Sequence, residues 1–474
     1  SYVSECLSHA RDVEFLLISK SEISLPNDTF PSSVISHDLL SDSSIATAQI
    51  SESDDAIPST NPLFVPLTSA IPLKHRFSIF VGSVFNLDTS QIDTTMYGFV
   101  QVELCHNGKR VTDAVRTTPS SLSSLRFTES LDLGLTYKNI PLEARLCFTL
   151  YSIHPKNESK QALAWVACRI FDCYHCLHRS KSLSLGMHVG EGRANPIGTC
   201  LPNNNEEAPL LTIEFESFEN KFIQLPRLLP RRSPLILPGD IQDPTGEQFK
   251  TLQELINMDP LFQPKRDELL LLWHARELYK DQPRGLPKFL LSVKWSAPYF
   301  VEEAYRLLDI WARSDNPIDA LELLGSEYED ERVRHYAVNQ LSMIDDDELE
   351  DYLLQLVQVL KHEKDHRSSL ALFLLNRAAL SPEIIGQTLF WLLSAEMDDP
   401  DVSVRFGLIL EALLHALGSK REELLRQKEV IQIISVISNS VAEEKTRQGK
   451  NDLLARLLQK TRLPPTFQVP YDSS

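Results

Sequence analysis

The sequence predicts a multidomain chain, with an antiparallel β-sandwich followed by an all-α helical solenoid. Three observations carry that prediction. Across residues 71–225 apolar residues recur with a period of two. From about Gln248 to about Leu458, runs of ten to fifteen residues place Leu, Ile, Val and Ala on one face and charge on the other. Between the two regions, proline stands at 226, 230, 234, 238 and 244. A period of two is that of half-buried strands, a period near 3.6 that of amphipathic helices. Repeated proline fits neither a sheet interior nor a helix, so residues 226–245 form a linker.

In chain order, residues 1–23 read as the tail of a truncated domain, with a strand-length apolar run at Val13–Ile18. Residues 24–70 are rich in Ser, Thr, Asp, Asn and Pro without a sustained period, the composition of a mobile linker. The sandwich strands then show themselves by alternation. Phe77, Ile79 and Val81 make one set, Val100, Val102 and Leu104 a second, Leu146, Phe148 and Leu150 a third, and Leu211, Ile213 and Phe215 a fourth. Turn-rich stretches such as His106-Asn107-Gly108-Lys109 separate them, and about seven or eight such strands make a sandwich.

Helices are expected over Glu247–Met258, Lys265–Lys280, Leu286–Val293, Pro298–Trp311, Pro317–Leu324 and Asp330–Leu341. Further ones follow over Asp347–His362, His366–Leu380, Pro382–Ala395, Pro400–Leu417 and Lys420–Ser440. Proline near the first position of several fits a helix start. Asp345, Asp346 and Asp347 complement the next helix N-terminus. Pairs recur roughly every 35 to 45 residues, the period of an α-solenoid. The solenoid proper is placed at 246–418, and residues 419–462 are read as a helical connection.

Composition narrows the function. The formal net charge is −18, which repels nucleic acid and anionic lipid as a whole. A local basic patch can still dock, because charges beyond about 8 Å are screened. No apolar run reaches the length of a membrane span. Leu269–Trp273, the most apolar stretch, runs into His274 and Arg276 and reads as a buried helix turn. The seven scattered cysteines fit reduced thiols in the cytosol. The chain opens at Ser1 without Met or a basic-then-apolar leader, and is read as a segment of a longer protein.

The motifs that could carry chemistry are sparse. Cys168, Cys173 and Cys176, with His175 and His178, have a Cys-x-x-Cys spacing. A structural zinc site wants a second, distant ligand pair, so these read as cysteines at a strand end. Asp365-His366-Arg367 looks superficially like a catalytic-loop tripeptide but starts an amphipathic helix. None of the 16 glycines forms a phosphate-cradling loop. Glu327, Glu329, Asp330 and Glu331, with Asp345–Asp351, could be a partner site; solvated helix ends are the favoured reading. The tryptophans at 165, 273, 295, 311 and 391 read as core anchors, not as a base-stacking surface.

Several segments are more distinctive than their periodicity. They are Leu286-Pro287-Lys288-Phe289-Leu290-Leu291-Ser292-Val293-Lys294-Trp295, Tyr352-Leu353-Leu354-Gln355-Leu356-Val357-Gln358-Val359-Leu360-Lys361, and Phe390-Trp391-Leu392-Leu393 followed by Val404-Arg405-Phe406-Gly407. Together they resemble the helical accessory domain of phosphoinositide 3-kinases, class I catalytic subunits above all. Leu163-Ala164-Trp165, Phe171-Asp172 and Asn195-Pro196-Ile197-Gly198 resemble parts of that family's C2-type sandwich. Tyr2-Val3-Ser4-Glu5-Cys6-Leu7, with Lys20-Ser21, resembles the end of a Ras-binding domain. Leu463-Pro464 and Phe467-Gln468-Val469-Pro470-Tyr471-Asp472 resemble the start of the kinase small lobe, placed at 463–474.

The resemblance implies a parent protein that phosphorylates the inositol 3-hydroxyl of phosphoinositides with ATP, in the cytoplasm, recruited to the plasma membrane or endomembranes. ATP and Mg2+ are implied for a kinase domain, and no cofactor or catalytic residue is expected in this segment, which lacks the kinase motifs. The implied partners are the protein's own kinase domain, membrane phosphoinositides, a Ras-family GTPase and a regulatory adapter. Nucleic acid is not among them. A class II member or a kinase-free helical adaptor is the alternative; class III fits poorly with the Ras-binding remnant.

Many C2 domains bind calcium through converging carboxylates; here Asp88 and Asp93 face only Glu158, which argues against it. Membrane contact would use Lys109, Arg110 and Arg116. The stretch from Asp259-Pro260-Leu261 to Trp273 resembles the region where adapter-regulated members present acidic residues to an inhibitory SH2 domain. This chain has Gln263, Pro264, Lys265, Arg266 and Asp267 there. Lys265 and Arg266 reverse the sign and would repel a basic phosphotyrosine pocket, so the adapter contact is not expected in its usual form.

Overall fold

A computed structural model describes residues 75–461, apart from 89–95, 155–158, 173–174, 178–181, 191–199, 201, 217–224, 226 and 400–401. The expectations for residues 1–23, 24–70 and 463–474, and for Asn195-Pro196-Ile197-Gly198, Cys173, His178, Asp93 and Glu158, lie outside the described residues.

The alternating segments pair as two antiparallel sheets. The strands are β1 (Arg76–Phe85), β2 (Tyr97–His106), β3 (Lys109–Arg110), β4 (Val115–Arg116), β5 (Ser120–Ser121), β6 (Arg126–Thr136), β7 (Arg145–Ile153), β8 (Lys160–Arg169), β9 (Ser182–Gly186), β10 (His188–Val189) and β11 (Leu210–Phe215). One sheet runs β6-β1-β11-β9. The other runs β10-β8-β7-β2-β3, with β4 and β5 also pairing β2. The four apolar sets read from the sequence meet between the sheets, all buried, joined by Leu133, Ala164 and Val166. Alternation did not foresee that Arg145, Cys147 and Thr149, on the opposite face of β7, are buried as well. That face is covered too.

The described residues of the linker form neither helix nor strand, and they are strapped to the helices. Leu235, Leu237 and Ile241 pack on the helical core, and Arg276 donates to both oxygens of Asp240.

The helices follow: α1 (Gly246–Ile256), α2 (Arg266–His274), α3 (Gly285–Ser292), α4 (Pro298–Ile310), α5 (Glu331–Leu341), α6 (Asp346–Leu360), α7 (Ser369–Leu380), α8 (Gln387–Ala395), α9 (Ser403–Ala416), α10 (Lys420–Glu443) and α11 (Arg447–Lys460). Their starts carry oxygen caps. Thr245, Asp330, Asp345, Ser368 and Thr446 accept from the first free N–H groups of α1, α5, α6, α7 and α11. One buried cluster runs from Leu252 to Leu424.

Three departures from the expected helices have physical causes. α2 ends at His274, six residues short of Lys280, where the buried Arg276 turns its guanidinium to Asp240, Glu303 and the Trp273 carbonyl. Pro317–Leu324 is a 3-10 helix, started by Asn316. Pro382–Gly386 opens as a π-turn before α8. Of the tryptophans, Trp273 and Trp311 are buried anchors. Trp165 stacks on His188 outside the sandwich core, and Trp295 lies 5.7 Å from the His106 ring, at the seam between sandwich and helices. Within Leu269–Trp273, Leu272 and Trp273 are buried and Leu270 is exposed.

Candidate regulatory interface

The chemistry of this chain concentrates where one end of the sandwich meets the start of α5. The two-residue turn Asn107-Gly108 joins β2 to β3, and both residues have positive φ (53° and 69°). Asn and Gly tolerate that region, and it is what a tight hairpin needs. The turn presents Asn107 to Glu329. The Asn107 backbone N–H donates to Glu329 Oε2 at 2.8 Å, and the Glu329 N–H donates to Asn107 Oδ1 at 2.8 Å. Arg145, opening β7, donates from Nη2 to Glu329 Oε1 at 2.6 Å. Arg145 is 2% exposed and Glu329 6%. Burial disfavours the guanidinium charge, but the Cys200 sulfur and the Glu329 carboxylate outweigh it and hold the Arg145 pKa above its ordinary value.

The next two acids continue the joint. Asp330 caps α5 and accepts the Tyr305 hydroxyl at 2.7 Å. Burial, then the nearby Glu143 charge, push its carboxyl up to about 7. Glu331 lies 3.4 Å from the ring of the buried His175. Behind them Glu143 sits 3.8 Å from His106. Its burial works against ionisation, but His106 and the Lys364 charge hold it below the usual carboxylate range. A further tie joins Arg169, ending β8, to Asp365 between α6 and α7. Burial opposes the Asp365 charge as well, and Arg169 and Lys364 lower its pKa against that.

These contacts correct the reading of Glu329 and Asp330 as solvated helix ends. Both are buried: Glu329 binds the chain's own sandwich, and Asp330 binds Tyr305 and the start of α5. Asp365-His366-Arg367 has a structural place: Asp365 binds Arg169, and the His366 ring lies 3.4 Å from Arg405. Of the cysteine group, Cys168 and Cys176 are buried, and His175 faces Glu331.

The candidate contact residues lie beside this seam. Lys109 donates from Nζ to Gln263 Oε1 at 3.0 Å, so the hairpin and the segment before α2 touch. Arg110 is 3.8 Å from Glu103. The exposed Arg116 lies over the Phe99 ring, 5.6 Å from its centre. Lys265, Arg266 and Asp267 are exposed at the start of α2, where the Lys265 N–H donates to Glu268 at 2.6 Å. The membrane candidates and the adapter candidates therefore share an edge at Lys109 and Gln263. Sequence reasoning singled out the Asn-Gly turn and the Glu327–Glu331 block, but missed Arg145 as the partner of Glu329, and missed the His106–Glu143 and Arg169–Asp365 pairs beside them. Among the described residues no helix is long and apolar enough to cross a membrane.

Residues 94–225 match the sequence profile of the phosphoinositide 3-kinase C2 domain, and residues 241–426 that of the phosphoinositide 3-kinase family accessory (PIK) domain. The chain belongs to the phosphoinositide 3-kinase family. Three proteins of Dictyostelium discoideum are among its relatives. Phosphatidylinositol 3-kinase 2 is 30% identical over 79% of this chain and 23% of its own length. Phosphatidylinositol 3-kinase 1 is 33% identical over 71% of this chain and 22% of its own length. Phosphatidylinositol 3-kinase 3 is 29% identical over 90% of this chain and 25% of its own length. The chain thus spans about a quarter of the length of these phosphoinositide 3-kinases. Arg145 and Glu329 fall one in each matched domain of this family member, so the buried joint links its C2 domain to its accessory domain.

Proposed function

We propose that these residues are the scaffold and regulatory portion of a class I-like phosphatidylinositol 3-kinase that transfers phosphate from ATP to the inositol 3-hydroxyl of membrane phosphoinositides. In this reading residues 1–23 end a Ras-binding domain, residues 463–474 begin the kinase small lobe, and ATP and Mg2+ belong to that lobe. The protein works in the cytoplasm, and a membrane surface recruits it. The observation that carries the reading is the buried Glu329 joint between C2 and accessory domains. A joint with paired charges and matched hydrogen bonds holds two domains in one orientation. A kinase lobe mounted on the helices would then stand at a fixed attitude to whatever the sandwich touches, which is an orientation effect on rate.

Lys109, Arg110 and Arg116 are the residues assigned to lipid contact. Each cation near an anionic leaflet contributes about 1 kcal/mol, so reversing all three lowers affinity by on the order of a hundredfold. Cosedimentation of the full 474-residue chain with phosphatidylserine vesicles, before and after Lys109→Glu, Arg110→Glu and Arg116→Glu together, measures this. Unchanged vesicle binding by the triple variant rejects the assignment.

A further inference from the structure

A cavity of about 380 Å³ lies within the accessory domain. The end of α1, the chain leading into α3, the 3-10 helix Pro317–Leu324 and α5 meet around it. Pro260, Pro283, Pro287 and Pro317 are in its lining. Proline begins or ends a helix more readily than it continues one, so helix ends meet here and leave a gap. Ile256, Leu286 and Leu323 are buried and give the cavity an apolar wall. Met258 and Arg284, also in the lining, are exposed, so the cavity opens to solvent. Its size, its apolar wall and its few polar groups are those of a small-ligand pocket.

The polar wall is braced from within. Lys288 of α3 is 2% exposed, and its Nζ donates to the Asp259 carbonyl at 2.8 Å and to the Pro260 carbonyl at 3.3 Å. That lysine pins the chain beyond α1. The Glu322 Oε1 atom is 3.8 Å from the same Nζ, too far for a hydrogen bond. It is buried and makes no hydrogen bond among the described residues. A buried acceptor without a donor is costly to keep. Charge points the same way. Asp259, Asp319 and Glu322 line the cavity against Arg284 and Lys288, so the acids exceed the bases by one. The other two acids are in use: Asp259 accepts the Leu261 N–H at 2.8 Å, and Asp319 accepts the Ser314 hydroxyl at 2.6 Å. Glu322 is the acid left to receive a ligand. Burial pushes its carboxyl up against the pull of Lys288, and a donor that carries positive charge would hold it ionised.

We propose that this cavity binds a small organic monocation, an amine or amidine with a compact apolar body. Its N–H donates to Glu322 Oε1, and its body lies on Ile256, Leu286 and Leu323. An anion gains less, because Lys288 already serves two carbonyls. A neutral amide supplies the donor but not the missing charge, and a charge-assisted hydrogen bond is the stronger one. The site goes beyond the scaffold reading and does not depend on it.

The test uses benzamidine, benzamide and benzoate, three molecules of one size that differ in charge. Binding of each to the full 474-residue chain is measured by saturation-transfer NMR. Benzamidine should bind saturably, in the millimolar range of so small a ligand, and about tenfold more tightly than the other two. Glu322→Gln should weaken it by about the same factor. A chain of net charge −18 also attracts cations without a site. The control is therefore Glu254→Gln, at an exposed acid of α1 outside the cavity, which should leave binding unchanged. The proposal fails if benzamidine does not saturate, if benzamide or benzoate binds as tightly, if Glu322→Gln binds as the parent does, or if both variants lose affinity equally. The three-probe comparison needs no variant, and it decides the matter alone if Glu322→Gln does not fold.

Discussion

Glu329 holds two sandwich groups at once, the Arg145 guanidinium and the Asn107 N–H. Removing its carboxylate leaves a guanidinium that is 2% exposed without its acid. Breaking one side of a buried pair typically costs about 3–5 kcal/mol, most of it from the charge left behind. Glu329→Ala should lose that much in urea denaturation, while Arg145→Met with Glu329→Leu should lose much less. Equal losses would mean that the cost is packing and not the stranded charge. Asp330 makes a second prediction. Its folded carboxyl titrates at about 7, against an ordinary 3.8, so between those values the folded state holds a proton that the unfolded state has released. Stability should fall as pH rises through that window, by up to about 1.4 kcal/mol per pH unit, and the full penalty should be present above it. Asn caps a helix as well as Asp does. Asp330→Asn should flatten this slope, and thermal melts across the window would read it directly.

Element by element, the sequence showed most where one residue type does one job. The inward faces of β1, β2, β7 and β11 could be read because alternation reports burial on one side. It could not report the covered opposite face of β7, since Arg145, Cys147 and Thr149 look polar or small there. The cap at Asp345 was legible as an acid ahead of an apolar run, whereas Asp330, the cap of α5, was counted inside its helix. The early end of α2 was not, because it depends on Arg276 meeting Asp240 across 36 positions of chain. The joint failed in the same way: Asn107 and Glu329 were each conspicuous, but nothing local pairs residues 222 apart. α2 also carries a testable weakness. Its N-cap residue, Lys265, has no side-chain oxygen to accept a free N–H and puts positive charge at the positive end of the helix dipole. Lys265→Ser should stabilise the chain by about 1 kcal/mol, seen as a higher urea midpoint. If this edge repels a basic SH2 pocket, making Lys265 and Arg266 Glu should create adapter binding in a pull-down.

At the scale of the whole molecule, the question is whether C2 and accessory domains act as one body. Each has its own hydrophobic cluster, and these clusters are separate. Coupling must then run through the polar seam, where Glu329 and Asp365 are the acids that receive Arg145 and Arg169. Cores of this kind unfold independently unless their interface contributes enough to make separation costly. A double variant, Glu329→Ala with Asp365→Ala, removes both acids and touches neither core. Sheet and helix signals that melt together in the parent chain should separate into two transitions in this variant, with each core close to its own stability. The vesicle affinity of the sandwich should stay unchanged, because Lys109, Arg110 and Arg116 remain. Coincident melting in the double variant would place the coupling in the seam contacts it leaves intact, Glu331 with His175, Lys109 with Gln263 and Trp295 with His106, and the fixed attitude of the helices over a membrane would then depend on those.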